Sequence, residues 1–135
     1  MKENIVKRWI TKAENDLKIV QYMININDTP VDLLGFHCQQ AVEKYLKAFL
    51  TSINVRVIKT HDIETILNQC REKDNEFEKL DKEKISALTI YATNVRYPED
   101  EIDATIDEIK VIYELTKITK DFVRNRLEKM GFQLD

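Results

Sequence analysis

Glycine and proline are scarce in this 135-residue chain, which contains only two of each. Phosphate loops and dinucleotide-binding turns need several glycines where the backbone approaches phosphate, so both kinds of nucleotide site are excluded. The scarcity also removes most of the turn signals that β-hairpins require. The two cysteines, Cys38 and Cys70, are isolated and lack the spacing of metal ligands. We therefore expect no metal, no cofactor and a reducing compartment.

Excess positive charge and long apolar runs are also missing. The formal net charge is −3, so the chain has no global basic field that would hold nucleic acid by neutralising phosphates. No apolar run approaches the roughly 18 residues of a membrane-spanning helix. The first ten residues have the pattern of an amphipathic helix and lack the apolar centre of a signal peptide. We therefore expect a soluble cytoplasmic protein with no membrane partner.

The pattern that is present is helical throughout. Apolar residues recur at a spacing of about 3.6 residues along most of the chain. This periodicity predicts an all-α fold, an up-and-down antiparallel bundle of four long helices plus one short helix. Residues 1–130 form a single domain in this prediction, and residues 131–135 are a short tail. The predicted helices cover approximately residues 2–25, 30–53, 63–70, 82–95 and 99–129.

Some local signals refine these boundaries. Thr29 is predicted to cap the second helix, with Pro30 at its first position and Asp32 completing a capping pair. Residues 71–84 are highly charged and are predicted to be a solvated loop that runs into the next helix. Pro98 predicts a break before the last helix.

The last predicted helix is apolar around well over half of its circumference. One apolar side contains Ile109 and Leu127, and a second contains Val111, Leu115 and Ile118. A small bundle has little room for a fully central helix, so we expect the second side to pack against another subunit in a homodimer.

Two groups of polar residues lie next to apolar stripes. Asp16 falls within the apolar stripe of the first helix, where an unpaired carboxylate would be costly. It is expected either in a structural ion pair or at the edge of a functional cleft. On the second helix, His37, Gln40, Lys44 and Lys47 share one side. This stripe is either a solvated face or a reader of an anion or a base edge.

Two further segments could contribute to a site. Arg96 and Tyr97 precede the start of the last helix, and helix N-termini favour anions. Thr60, His61 and Asp62 precede the short helix, where capping is the simplest explanation.

Four strings together resemble the HEPN family, the higher eukaryotes and prokaryotes nucleotide-binding domains. They occur in the family's order and are WITKAENDL (Trp9–Leu17), FHCQQAVEKYLKAFL (Phe36–Leu50), THDI (Thr60–Ile63) and VRYP (Val95–Pro98). The resemblance covers about residues 7–129. It implies a helical bundle, commonly dimeric, with a cleft for a nucleotide or RNA. It also implies a partner, because many bacterial members act with a minimal nucleotidyltransferase, often as a toxin–antitoxin pair.

The resemblance also defines the expected site. Ribonuclease members carry an arginine and a histidine that are separated by four to six residues. The histidine exchanges a proton and the arginine stabilises the charged phosphorane. Arg96 matches the arginine, but Glu101, Ile102 and Asp103 stand where the histidine belongs. The interval from Arg56 to His61 has the right length but lies in a connector, and we interpret it as chance.

Three functions remain open at this point. The first is a nucleotide-binding or partner-binding module that is the non-catalytic companion of a nucleotidyltransferase and binds ATP, GTP or an RNA end. The second is a metal-independent ribonuclease that uses Arg96 with an acid or base other than histidine. The third is a purely structural dimer. The residues expected to bind the ligand are His37, Gln40, Lys44, Arg96 and Tyr97. The residues expected to support them are Asp16, His61 and Asp62. Asp16 would orient Arg96.

Overall fold

The computed structural model describes residues 2–94 and 104–135, and all regular structure within these residues is helical. The all-α prediction is therefore confirmed. The α-helices are α1 (Lys2–Met23), α2 (Val31–Ser52), α3 (Ile63–Lys73), α4 (Lys82–Ser86), α5 (Ile90–Asn94) and α6 (Ile106–Lys129). Among the described helices, none is both long and apolar enough to cross a membrane.

The long helices α1 and α2 form the most extensive contact of the molecule. The apolar stripe predicted for α1 is buried, with Val6, Ala13 and Val20 wholly inaccessible to solvent. The turn between the two helices places Asp28 in the left-handed region, with φ of 59°. The predicted cap was wrong, because α2 has Pro30 at its N-cap and the hydroxyl of Thr29 is buried with no partner in the described residues.

Helix α2 lies at the centre, between α1 on one side and α3, α5 and α6 on the others. Its core residues include Tyr45, Leu46 and Leu50, which are completely buried. Gly35 allows Tyr91 of α5 to approach the helix, because a Cβ on Gly35 would lie 2.4 Å from the Tyr91 ring. This contact sets how closely α5 approaches α2.

The charged segment after α3 is not the solvated loop that was predicted. It contains a 3₁₀ turn, Asn75–Lys79, and buries Phe77 completely. The Phe77 ring contacts Phe49 and Phe122, with ring centroids 4.4 and 4.8 Å apart. Two apolar residues, Phe77 and Leu80, therefore anchor a stretch whose charges made it look fully exposed.

The third long helix of the prediction is broken into α4, a 3₁₀ turn at Ala87–Thr89, and α5. Since Thr89 accepts a hydrogen bond from the backbone N–H of Ile63, this turn also caps the start of α3. The last helix begins at Ile106 rather than near Glu99. Its N-cap is Thr105, whose side chain accepts from the N–H of Glu108 and donates to its carboxylate, so the two residues of a capping-box sequence are in contact.

Helix α6 has two faces of different character. Ile109, Val123 and Leu127 are fully buried against the bundle. On the second apolar side, Val111 is 61% exposed and Ile118 is 55% exposed. The predicted second apolar side is thus on the surface of the single chain.

Candidate functional site

The candidate site is built on six polar side chains that lie side by side on α2. They project from positions 37, 39, 40, 43, 44 and 47, which helical geometry gathers into one continuous arc. Four of them, His37, Gln40, Lys44 and Lys47, were expected to form either a solvated face or a reader of an anion or a base edge. The arc is not simply solvated, because Lys47 is 6% exposed and the neighbouring Gln39 is inaccessible.

One half of the site is organised around Asp16 of α1. Its Oδ1 lies 2.8 Å from Nδ1 of His37, and its Oδ2 accepts a hydrogen bond of 2.6 Å from the ammonium of Lys44. The carboxylate is buried, whereas the side chains of His37 and Lys44 remain 23% and 21% exposed. Asp16 therefore holds a histidine and a lysine at the border of solvent.

The other half repeats the same arrangement around Glu43. Its Oε1 lies 2.9 Å from Nδ1 of His61, and its Oε2 accepts a hydrogen bond of 2.7 Å from Lys47. The side chains of Glu43 and Lys47 are only 5% and 7% exposed, so this ion pair is buried. The imidazole of His61 is 56% exposed.

Two glutamines extend the Glu43 half along α2. Gln40 donates to the side-chain oxygen of Gln39 at 2.7 Å, and Gln39 donates both to Glu43 and to the backbone carbonyl of His61. Lys47 also donates to the carbonyl of Thr60 at 3.1 Å and lies 5.8 Å from the ring centre of Trp9. Buried side chains of α2 therefore hold residues 60–61, in the connector between α2 and α3, in place.

The charges of this network balance within the described residues. Asp16 faces Lys44, and Glu43 faces Lys47, so each ammonium has a carboxylate partner. Opposite charges at these distances cancel most of the field that a ligand would feel. The two lysines therefore do not form a free cationic pair.

The structure brings together most of the residues that the sequence analysis selected. Asp16, His37 and Lys44 form one hydrogen-bonded cluster, and Gln40 and His61 belong to the neighbouring cluster around Glu43. Their role in binding a ligand stays a prediction.

Three of the selected residues are not part of the described network. Asp62 turns away from the network and accepts a hydrogen bond from Thr65 at the exposed start of α3. Arg96 and Tyr97 lie outside the described residues. The orientation of Arg96 by Asp16 stays a prediction. Among the described residues, Asp16 is bonded to His37 and Lys44.

The sequence analysis missed the inner part of the network. Gln39 and Glu43 were not selected, and Lys47 was noted only as a member of the polar stripe. A signal was available, because Gln39, Glu43 and Lys47 follow i, i+4, i+8 spacing beside the buried Val42 and Leu46. Such Glu–Lys pairs are usually exposed, whereas this one is contacted by residues 60–61 and lies near Trp9 of α1.

Other chemistry has little support in the described residues. No group of three or more possible metal ligands occurs among them. Burial raises the pKa of the Cys38 thiol to about 12 and also raises the pKa of the Cys70 thiol. Neither thiol is therefore an activated nucleophile.

Surface clefts are found elsewhere on the molecule. One of about 490 Å³ lies between the α1–α2 turn and the start of α6, where Ile106 and Lys110 line it. Another of about 370 Å³ lies between Glu14 of α1 and the C-terminal residues 133–135. These clefts lack the connected polar groups of the Asp16 and Glu43 network, so we place the candidate site at the network.

Comparison with known proteins gives one result at the level of family. A family model described as HEPN domain matches residues 6–127, which is most of the chain. No curated protein and no solved structure matches.

Proposed function

This chain belongs to the HEPN domain family, and on that premise we propose that it is a nucleotide-binding module whose site is the polar network between α1, α2 and the connector. The observation that carries the proposal is the double network itself. Two carboxylates fix two lysines and two histidines beside an exposed edge of α2. Buried polar groups are costly unless they are paired. The pairing holds these side chains in fixed positions, which is the preorganisation that a binding site requires.

We propose that His37, Gln40 and Lys44 contact the ligand, and that Arg96 and Tyr97 complete the site from the segment before α6. Asp16 supports His37 and Lys44, and His61 is held by Glu43. Arg96 would supply the positive charge that the paired lysines do not provide, and Tyr97 would offer a ring for stacking on a base.

Binding without cleavage is favoured by the sequence around Arg96. The family's ribonucleases need a histidine at the start of the last helix, and Glu101, Ile102 and Asp103 occupy the corresponding positions. A carboxylate there would repel a phosphate. We therefore propose a non-catalytic companion of a minimal nucleotidyltransferase, in a pair of toxin–antitoxin type, that acts as a homodimer.

The test is calorimetry of the purified chain with ATP, with GTP and with a short single-stranded RNA, comparing wild type with Arg96→Ala. We expect micromolar binding of at least one ligand and its loss in the variant. Lys18→Ala is the matched control, since it removes one exposed cation from the opposite side of α1. If a folded protein gives no heat with any of the three ligands, nucleotide binding by the isolated chain is wrong.

A further inference from the structure

Both histidines of the chain are held in the same manner. The sequence contains only two, His37 and His61, and each presents Nδ1 to a carboxylate that also accepts a hydrogen bond from a lysine. A carboxylate that accepts from an ammonium can act towards the imidazole only as a further acceptor. The ring nitrogen that faces it must therefore carry the hydrogen, which assigns the Nδ1–H tautomer to both neutral rings.

This tautomer determines what each ring can offer to a ligand. With Nδ1 protonated, the Nε2 atom of a neutral imidazole has a lone pair and no hydrogen. Among the described residues, no group pairs with Nε2 of His37 or His61. A ligand therefore meets a hydrogen-bond acceptor, which a hydroxyl or an amino group satisfies and an ionised phosphate oxygen does not.

Burial distinguishes the two rings. The His61 side chain is 56% exposed, so water can satisfy its Nε2 at little cost. The His37 side chain is 23% exposed and packs edge-on against the Phe36 ring, with the ring centroids 5.4 Å apart. A partly desolvated acceptor contributes more to ligand selection, because leaving it unpaired in a complex is costly. His37 is therefore the more selective of the two.

The charge balance points to the same kind of ligand. Asp16 and Glu43 neutralise Lys44 and Lys47, so the described part of the site has no surplus positive charge when both histidines are neutral. Selection there depends on directional hydrogen bonds from imidazole and amide groups. Gln40 lies one turn along α2 from His37 and supplies such an amide.

We propose that this site is a ribose-recognition site, in which Nε2 of His37 accepts a hydrogen bond from the 2′- or 3′-hydroxyl of a nucleotide. The ligand class is therefore nucleotides that present a free hydroxyl at the 2′ or 3′ position of the sugar. Phosphate groups add little affinity through the described residues. The inference rests on the proposed nucleotide-binding function and specifies which part of the nucleotide α2 recognises.

The test compares ATP and GTP with their 2′-deoxy and 3′-deoxy counterparts by calorimetry, in wild type and in His37→Asn. The asparagine amide can still donate to Asp16, so the support of Lys44 is kept while Nε2 is removed. In wild type we expect at least one deoxy form to bind about fivefold to tenfold more weakly. In His37→Asn the ribonucleotide should weaken by a similar factor and the preference should disappear.

Three outcomes separate this inference from the proposed function. Equal binding of ribo and deoxy forms by wild type would overturn ribose recognition while leaving nucleotide binding intact. A preference that survives in a folded His37→Asn protein would overturn the role of His37. Inorganic tripolyphosphate that binds as tightly as ATP would show that the site recognises phosphate, which also overturns the inference.

Discussion

Glu43 is the residue on which the buried half of the site depends. Its carboxylate accepts hydrogen bonds from Lys47 and Gln39 and faces His61, and it is 4% exposed. Removing one partner of a buried ion pair leaves the other charge without compensation, which typically costs about 3 to 5 kcal/mol. Lys47 would lose its charged partner and the connector would lose part of its attachment.

We predict that Glu43→Ala lowers the free energy of unfolding by about 3 kcal/mol, measured by urea denaturation followed by circular dichroism. The matched control is Glu76→Ala, because Glu76 pairs with Lys79 at an exposed site. That variant should give no measurable change. Equal effects of the two substitutions would mean that burial of the Glu43 pair has no energetic consequence.

Of the two buried carboxylates, Asp16 was predictable from the sequence and Glu43 was not. Asp16 was identified because a carboxylate in an apolar stripe is conspicuous, and its need for partners was inferred correctly. Glu43 was not selected because it lies at the border of the apolar arc, where it could equally form an exposed ion pair with Lys47. The connector contributes to its burial, since its carbonyls at Thr60 and His61 accept from Lys47 and Gln39. Such a contact between segments distant in sequence has no periodic signal.

Among the helices, the contact of α2 with α5 is the most restrictive. Gly35 lies within a continuous helix of 22 residues, where alanine would normally favour the helix by about 1 kcal/mol. Here a Cβ would overlap the ring of Tyr91, which is 6% exposed and has little room to move. Steric overlap should therefore outweigh helix propensity.

We predict that Gly35→Ala destabilises the protein by about 1 to 3 kcal/mol, whereas the same substitution in a Tyr91→Ala background is neutral or stabilising by up to about 1 kcal/mol. The four proteins form a double-mutant cycle that is measured by thermal and chemical denaturation. If Gly35→Ala is equally destabilising in both backgrounds, the contact with Tyr91 is not the reason for glycine at this position.

Helix existence was predictable from sequence, whereas helix continuity was not. The periodicity of α1, α2 and α6 follows from burial of one face, and these helices were located with small errors at most ends. The segment from Lys82 to Asn94 has a helical pattern, yet it is divided by a 3₁₀ turn because Thr89 serves α3 as a capping group. The start of α6 was placed too early because the capping-box sequence of Thr105 and Glu108 was not recognised.

At the scale of the whole molecule, an apolar stripe of α6 is exposed in the part of the chain that the structure describes. Val111 and Ile118 are more than half exposed on α6, and Leu115 lies between them, partly buried. Their i, i+4, i+7 spacing places them on one stripe of the helix. This is the stripe for which the sequence predicted a second subunit, and residues 2–94 and 104–135 leave it largely uncovered.

We propose that two copies pack through this stripe, and we predict that Val111→Glu and Ile118→Glu each convert a dimer into a folded monomer. Each substitution would place a charge in an apolar contact, so we expect the dissociation constant to rise more than about a hundredfold. Sedimentation velocity over a concentration series measures this constant, and circular dichroism checks the fold.

Asn15→Glu is the control, because it adds the same charge at an exposed position of α1. A wild-type chain that sediments as a monomer at all concentrations contradicts the proposal. A dimer that resists both stripe substitutions means that another face forms the interface.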